Sequence, residues 1–401
     1  MSASAKSGRI ASIDIIRGIA IVGMVLCANI GFQSDLPAWM FHAQTPPPTY
    51  AFNPDVPGIT WVDLVFPFFL FSMGAAFPFS MRKRLERGQS RWSVAGSLVK
   101  RWFILTLFAI VLGNAYSIWS TPRPAWQVHI YMIAVWAAMF LSLVRVQNPA
   151  GSDGWKKHLG TAVNLCGIIM FVALSFVFTR WFGLALSKDR CDIIIMILAV
   201  IAVTGGLIWM FTKDSIRLRW LIFMLVAAIK ALDSYAPEAL SFVPSCASVS
   251  WFFSWDWLQY LLIVLPGSIV GDMILKHSRS GEKPQIGRNG AIAGYVALAA
   301  ALVQLWGLFT RHVTADFIIS GALAITFFCL TWKERNVYTG TARIGFLLLL
   351  AGIIFDPIDG GITKDHCNLS YVLTTGGMAA LTTAFLLMLE IRSDIKGRFI
   401  A

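Results

Sequence analysis

The amino-acid sequence predicts an all-α protein, a polytopic bundle of transmembrane helices. Of its 401 residues, 57% are hydrophobic and only 13% are charged, and the mean hydropathy is +0.68. Apolar runs of the roughly 20 residues that a helix needs to cross a bilayer recur along the whole chain. The polar gaps between these runs are too short to form a soluble domain. We therefore predict a single transmembrane domain over residues 1–401.

The hydropathy pattern predicts about 11–12 spans. The predicted spans cover residues 12–31, 62–80, 102–120, 127–144, 159–179, 192–212, 219–234, 257–275, 291–310, 317–332, 344–356 and 369–390. Two of these, 317–332 and 344–356, are short, and 219–234 contains charged side chains. The exact number of crossings depends on these three segments.

The charge distribution indicates how the bundle is oriented. The net charge is +12, and most of the 33 Lys and Arg residues lie between alternate spans, as in the run from Arg82 to Arg101. Lys and Arg collect in cytoplasmic segments of membrane proteins. The pattern therefore predicts that the N-terminus and the C-terminus are both cytoplasmic, and it explains the basic excess without a nucleic-acid partner.

The six cysteines are too few for a disulfide framework. Cys191, Cys246 and Cys367 fall on the predicted outer side, where two of them could form a disulfide. The chain has no CxxC pair and no spaced set of Cys and His. We accordingly predict no metal cofactor.

Charged side chains occur inside or beside several predicted spans. Asp14 and Arg17 are three residues apart at the start of the first span, so they share a helix face and can pair. Both would be costly next to lipid, which places them in the bundle or at the interface. Asp272, near the end of the eighth span, is expected to cap that helix.

A second group of polar residues lies at the outer end of the first two spans. Asn29 ends the first span, His42 lies in a proline-rich loop, and Asp63 begins the second span. An imidazole can take up and release a proton near neutral pH, and a carboxylate can fix its tautomer. Taken separately, His42 is compatible with an ordinary loop histidine and Asp63 with a helix N-cap. The spacing leaves these readings open.

Four stretches of the sequence resemble one family of membrane enzymes. They are "RIASIDIIRGIAIVGMVLCAN" (9–29), "FHA" (41–43), "GITWVDLVFPFFLFSMGAAFPFSM" (58–81) and, late in the chain, "KDHCNLSYVLTTGG" (364–377). Together they resemble the signature of the heparan-alpha-glucosaminide N-acetyltransferase family. The resemblance is specific over 9–81, recognisable over 364–377, and elsewhere mainly one of topology.

The resemblance implies a transmembrane acetyl transfer, with acetyl-CoA as the co-substrate. The acetyl group would pass from cytoplasmic acetyl-CoA to the amine of a terminal glucosamine, such as that of heparan sulfate, on the other side. His42 matches the family's active-site histidine, Asn29 the asparagine beside it, and Asp63 the acid of the family motif. His42 would act as a base or as a transient acetyl carrier.

Further residues are expected to bind the cofactor. Lys364, Ser370 and Tyr371 match the late family segment, whereas Arg17, Arg82 and Arg84 are cations that could hold the phosphates of CoA. The implied partners are an amino-sugar or glycan acceptor, acetyl-CoA and the lipid bilayer, with a homodimer left open. The implied location is a bacterial inner membrane.

Two other functions fit the same sequence. A histidine can activate a hydroxyl as well as an amine, so an O-acyltransferase of an envelope glycan is one alternative. A secondary transporter with about 12 spans is the other. It would place charges at mid-membrane in matching halves of the chain, whereas the distinctive polar groups here cluster early, in residues 9–81.

Overall fold

The computed structural model describes residues 11–31, 36–144, 158–240, 251–281 and 285–393. Within these ranges the regular structure is helical, with no β-strand, which confirms the predicted all-α class. Its long helices are α1 (Ala11–Ala28), α2 (Trp61–Phe77), α3 (Arg91–Ala115), α4 (Ala125–Leu143), α5 (Leu159–Arg180), α6 (Ile193–Thr212), α7 (Ile216–Tyr235), α8 (Leu261–Ser280), α9 (Arg288–Thr310), α10 (Val313–Leu330), α11 (Val337–Phe355) and α12 (Leu369–Ser393).

Every predicted span overlaps one of these helices. In the described part of the chain, 11 helical segments are long and apolar enough to cross a membrane. The long helix outside that set is α7, which carries several charged side chains, among them Arg217, Arg219 and Lys230. The polytopic membrane architecture is therefore confirmed.

The helices group into two compact units. Unit 1 contains residues 1–87, 208–246 and 259–401, and unit 2 contains residues 88–207 and 247–258. Unit 2 has an aromatic core that includes Phe108, Tyr131 and Phe171.

The core of unit 1 depends on close contact between α2 and α8. A Cβ at Gly74 would collide with the backbone of α8, and a Cβ at Gly267 or Gly271 would collide with the backbone of α2. Small residues let membrane helices approach this closely. The contact buries most of α8, including the segment from Leu261 to Asp272.

Helix α7 runs from one face of unit 1 to the other. Near its start, Arg219 donates to Asp272 of α8 at 2.7 Å, and Asp214 lies 3.9 Å from Arg82. At its other end the hydroxyl of Tyr235 donates to Asp359, in the loop between α11 and α12. Its 20 residues correspond to roughly 30 Å of helix, enough to cross the bilayer. We therefore predict that α7 forms a twelfth span.

The buried pair of Arg219 and Asp272 corrects one prediction. Asp272 lies within α8, only 8% exposed, and accepts from Arg219 and from Trp209 Nε1 at 3.1 Å. It therefore does not cap the helix. Arg219 is fully buried, and it also donates to Thr212 Oγ1 at 3.1 Å. The carboxylate is needed as a counter-ion, since a buried guanidinium without one would be costly.

The start of α1 and the end of α12 meet at one face of unit 1. The carboxylate of Glu390 accepts from the backbone nitrogens of Ala11 and Ser12 at 2.9 and 3.0 Å. It thereby satisfies two of the donors that a helix leaves unpaired at its first turn. The predicted pair of Asp14 and Arg17 also forms, at 3.8 Å.

Candidate active site

The site begins with the first turn of α2. Thr60 precedes that helix and Asp63 occupies its third position, and the two form a capping box. Asp63 Oδ2 accepts from the Thr60 backbone nitrogen at 2.9 Å. The Thr60 hydroxyl lies 3.3 Å from Oδ2 and donates to the carbonyl of Phe41 at 2.7 Å. Asp63 is thus part of a helix N-cap, which is one of the two interpretations that the sequence left open. Through the Thr60 hydroxyl, this cap also binds the carbonyl of Phe41, the residue before His42.

The other carboxylate oxygen of Asp63 contacts the imidazole. Oδ1 lies 2.5 Å from His42 Nδ1. The Asp63 side chain is fully buried, whereas the His42 side chain is 37% exposed. The structure therefore brings together two of the residues that the sequence singled out, a buried carboxylate and a partly exposed ring.

The contact with Asp63 bears on the tautomer of the ring. When a carboxylate at Nδ1 accepts the Nδ1–H, the neutral ring carries its lone pair on Nε2. Nε2 makes no hydrogen bond to any residue in the described ranges. In that neutral tautomer, Nε2 can act as a base or as a nucleophile.

The proline-rich loop holds this position through its own contacts. Gln44 is fully buried and donates to the carbonyls of Val56 at 2.9 Å and Gly58 at 3.2 Å. Gly58 has φ = +132°, a backbone conformation that side-chain-bearing residues rarely adopt. Its nitrogen donates to the Ile362 carbonyl at 2.8 Å, which ties this loop to the loop between α11 and α12.

The late motif reaches the same place. Lys364 Nζ lies 3.3 Å from His42 Nδ1 and 4.0 Å from Asp63 Oδ1. Tyr371 is buried, and its hydroxyl donates to the Asp63 carbonyl at 2.8 Å. Two motifs far apart in the chain therefore form one cluster, in which a cation lies beside the carboxylate–imidazole pair.

Arg311 and Asp356 support this cluster, and the sequence analysis missed both. Arg311 donates two hydrogen bonds to Asp356, at 3.0 and 2.9 Å. Asp356 also accepts from the Ile362 nitrogen at 2.7 Å. A bidentate pair of this kind fixes geometry as well as charge. Arg311 follows α9 and Asp356 follows α11, so no local sequence pattern indicates that they pair.

Other predicted residues have partners within the protein. Asn29 follows α1, is exposed, and donates to the Val25 carbonyl at 2.7 Å. It makes no hydrogen bond to His42 within the described ranges. Ser370 is fully buried, and its hydroxyl donates to Asn368 Oδ1 at 3.0 Å. The catalytic role of Asn29 and the cofactor roles of Ser370 and Tyr371 stay predictions.

The predicted cofactor-binding residues divide between two faces of unit 1. Lys364 lies with His42, whereas Arg82 lies near Glu86 at 3.8 Å and Asp214 at 3.9 Å, at the other end of α2. Arg84 follows in the short helix Lys83–Glu86. Any ligand that contacts both groups would have to extend across the bundle.

Comparisons with known proteins agree with the resemblance of the motifs. A family model described as a domain of unknown function, DUF5009, matches residues 9–274. The heparan-alpha-glucosaminide N-acetyltransferase of Homo sapiens is 36% identical over 112 residues, and that of Mus musculus is 32% identical over 109 residues. These matches cover 28% and 27% of this chain but only 15% and 14% of the relatives. The predicted family resemblance is thus confirmed over part of the chain.

Proposed function

Since the chain belongs to the DUF5009 family and its matching segments resemble heparan-alpha-glucosaminide N-acetyltransferases, we propose that it is a membrane acetyltransferase. Its reaction would move an acetyl group from acetyl-CoA to the amine of a terminal glucosamine-type sugar. The observation that carries the proposal is the 2.5 Å contact between His42 Nδ1 and Asp63 Oδ1, at a partly exposed ring.

The chemistry of this transfer needs a base. The amine nitrogen attacks the thioester carbonyl, a C–N bond forms, and the C–S bond breaks. Nε2 of His42 accepts the proton that the amine loses and returns it to the departing CoA thiolate. The same nitrogen could instead carry the acetyl group between the two substrates. Both routes use an unprotonated Nε2, and both fit the observed ring geometry.

Asp63 and Lys364 have complementary parts in this proposal. Asp63 accepts the Nδ1–H, holds the tautomer, and stabilises the imidazolium once Nε2 takes a proton. The ammonium of Lys364 lies 3.3 Å from Nδ1 and 4.0 Å from Asp63 Oδ1, where its charge partly offsets that of the carboxylate. Asn29 is the residue that the resemblance assigns to the neighbourhood of the amine or the oxyanion.

The donor would enter from the opposite face. Arg17 and Arg82 are about one-third exposed, and their ion pairs are long, at 3.8 Å and more. Such guanidinium groups can exchange a distant carboxylate for a phosphate of CoA. This arrangement agrees with a cytoplasmic donor and a site on the outer side of a bacterial inner membrane. The acyl end of the donor would then reach His42 through the bundle.

Product analysis tests the proposal. The purified chain in lipid nanodiscs is incubated with acetyl-CoA and glucosamine, and the products are identified by mass spectrometry. We expect N-acetylglucosamine and free CoA in equal amounts. A product acetylated only on oxygen would support the O-acyltransferase alternative. Sugar counterflow in proteoliposomes without acetyl-CoA, together with no acetylated product, would support a transporter and contradict the proposal.

A further inference from the structure

A pocket of about 370 Å³ opens beside the candidate active site, between the start of α2 and the end of α9. Its lining residues are Trp39, Thr60, Trp61, Leu302, Leu305, Trp306, Phe309 and Thr310. Three of these are tryptophans. This volume is near the lower end of the roughly 300–1,000 Å³ typical of small-molecule pockets, enough for part of a hydrocarbon chain but not for a whole lipid.

The lining of the pocket favours an apolar ligand. Its two hydroxyls already have acceptors, because Thr60 donates to the Phe41 carbonyl at 2.7 Å and Thr310 to the Trp306 carbonyl at 2.9 Å. The indole Nε1–H of Trp61 is buried with no acceptor among the described residues. One such donor does not replace the several hydrogen bonds to water that a free sugar would lose in this pocket. A hydrocarbon chain would lose none.

The pocket is continuous with the lipid-facing surface of the bundle. Leu302 is 58% exposed and Trp306 is 56% exposed. Both lie on α9, one of the segments apolar enough to cross the membrane. Tyr295, two turns before Leu302 on the same helix, is also more than half exposed. An acyl or isoprenyl chain can therefore enter from the bilayer without crossing water.

The pocket also shares a wall with the active site. Thr60 lines it, and the Thr60 nitrogen donates to Asp63 Oδ2 at 2.9 Å. The Thr60 hydroxyl holds the carbonyl of Phe41, the residue before His42. A ligand in the pocket would therefore contact Thr60, which hydrogen-bonds both to Asp63 and to the residue before His42.

We propose that the acceptor is a lipid-linked amino sugar, whose hydrocarbon chain occupies this pocket while its sugar amine reaches His42. The inference rests on the proposed acetyl transfer and adds the class of acceptor. The acceptor would then reach the site by diffusion within the bilayer, whereas acetyl-CoA would enter from the cytoplasm.

Alkyl glucosaminides of increasing chain length test this acceptor class. Methyl, butyl and octyl glucosaminides, each below its micelle-forming concentration, are compared as acceptors in nanodiscs. We expect kcat/KM to rise with chain length, by up to about fourfold per methylene. Leu305→Trp, which fills the pocket, should bring the ratio of octyl to methyl kcat/KM close to one. Leu347→Trp on α11, at an exposed leucine outside the pocket, controls for partition of long chains into the bilayer.

A second readout does not depend on turnover. An octyl glucosaminide with a photoreactive diazirine at the end of its chain is cross-linked, and the labelled peptides are located by mass spectrometry. Labelling within α9 that Leu305→Trp removes would support the inference even if no amine is acetylated. Equal kcat/KM for the methyl and octyl acceptors, with labelling outside the pocket, would overturn the inference and leave the acetyl transfer standing.

Discussion

His42 Nδ1 and Asp63 Oδ1 are 2.5 Å apart, and the same carboxylate accepts from the backbone nitrogen that begins α2. Asp63 is therefore both a helix cap and the partner of the imidazole. The hydrogen bond that caps the first turn of α2 also holds the carboxylate in the position in which it orients the ring. A site assembled in this way is already ordered before substrate binds.

Asp63→Asn tests this double role. An asparagine oxygen can still accept from Thr60, so we expect the helix cap to survive. Its amide nitrogen would donate to Nδ1, which moves the ring proton to Nε2 and removes the base. We expect kcat to fall by about 10²–10⁴-fold, with little change in thermal stability.

Asp55→Asn is the matched control for that variant. Asp55 lies 2.8 Å from His366 in another carboxylate–imidazole pair, but both of its members are exposed. We expect activity close to that of the wild type. Equal losses in the two variants would argue against a special role for Asp63.

Lys364→Met tests the part of the neighbouring cation. The ammonium lies 3.3 Å from His42 Nδ1 and 4.0 Å from Asp63 Oδ1, so its removal changes the charge balance of the pair. Lys364 is 30% exposed, so we expect kcat to fall by no more than about fivefold. Lys364→Arg, which keeps the charge, should retain most of the wild-type kcat. A wild-type kcat in Lys364→Met, measured by steady-state kinetics, would exclude a part for the cation.

The buried pair of Arg219 and Asp272 should matter for stability. Arg219→Met leaves a carboxylate only 8% exposed without its counter-ion, which should lower the free energy of unfolding by roughly 3–5 kcal/mol. The double change with Asp272→Leu should recover much of that loss. Thermal denaturation of the detergent-solubilised protein measures both.

Arg279 provides the exposed comparison. It donates to Glu86 at 2.7 and 2.9 Å, but the two side chains are 46% and 49% exposed. We expect Arg279→Met to cost about 1 kcal/mol or less. A loss as large as that of Arg219→Met would mean that burial does not set the energy of these pairs.

Asp316→Asn tests the charge on a buried carboxyl between α9 and α10. Gln304 donates to Asp316 Oδ2 at 2.6 Å. Asp316 Oδ1 and Gln304 Oε1 are both buried. An asparagine at position 316 has nearly the same shape as the carboxyl, carries no charge, and can still accept from Gln304. We expect Asp316→Asn to keep the wild-type melting temperature and Asp316→Leu to lose roughly 1–3 kcal/mol, whereas equal losses would contradict this view.

Site-directed labelling tests the count of α7 as a span. Asp214 precedes α7 and Glu238 follows it, and both are exposed. Single cysteines at these positions, in a chain with the native cysteines replaced, should react with a membrane-impermeant maleimide from opposite sides. From the charge distribution, position 214 should react from the cytoplasmic side. Labelling of both from one side would remove α7 from the spans.

Hydropathy predicted where the chain crosses the membrane, but not where each helix begins. Helix α3 starts at Arg91, well before the predicted 102, because Ser90 caps it by accepting from Ser93 at 3.1 Å. Helix α11 starts at Val337, because Asn336 caps it in the same way through Thr339. Caps are polar signals that continue a helix beyond its apolar part.

Local sequence patterns likewise predicted only some of the contacts in the candidate active site. His42 and Asp63 could be proposed as a pair because both flank one short loop and belong to one motif. Lys364 is 322 residues from His42, and only the family resemblance indicates that it has a function, as a cofactor-binding residue. Its position depends on how the loop between α11 and α12 packs onto the loop before α2, and no local pattern records that packing. For the same reason, the sequence did not predict the ion pair of Arg219 and Asp272.

Single-turnover transfer by a His42→Gln variant is the most direct test of the central claim. Wild type and variant, in matched nanodiscs with saturating labelled acetyl-CoA and an amino-sugar acceptor, are compared by the rate at which labelled product appears. Glutamine keeps a polar side chain next to Asp63 but cannot serve as a base. We predict a rate at least about 100-fold lower in the variant. Equal rates would show that this imidazole does not carry the transfer.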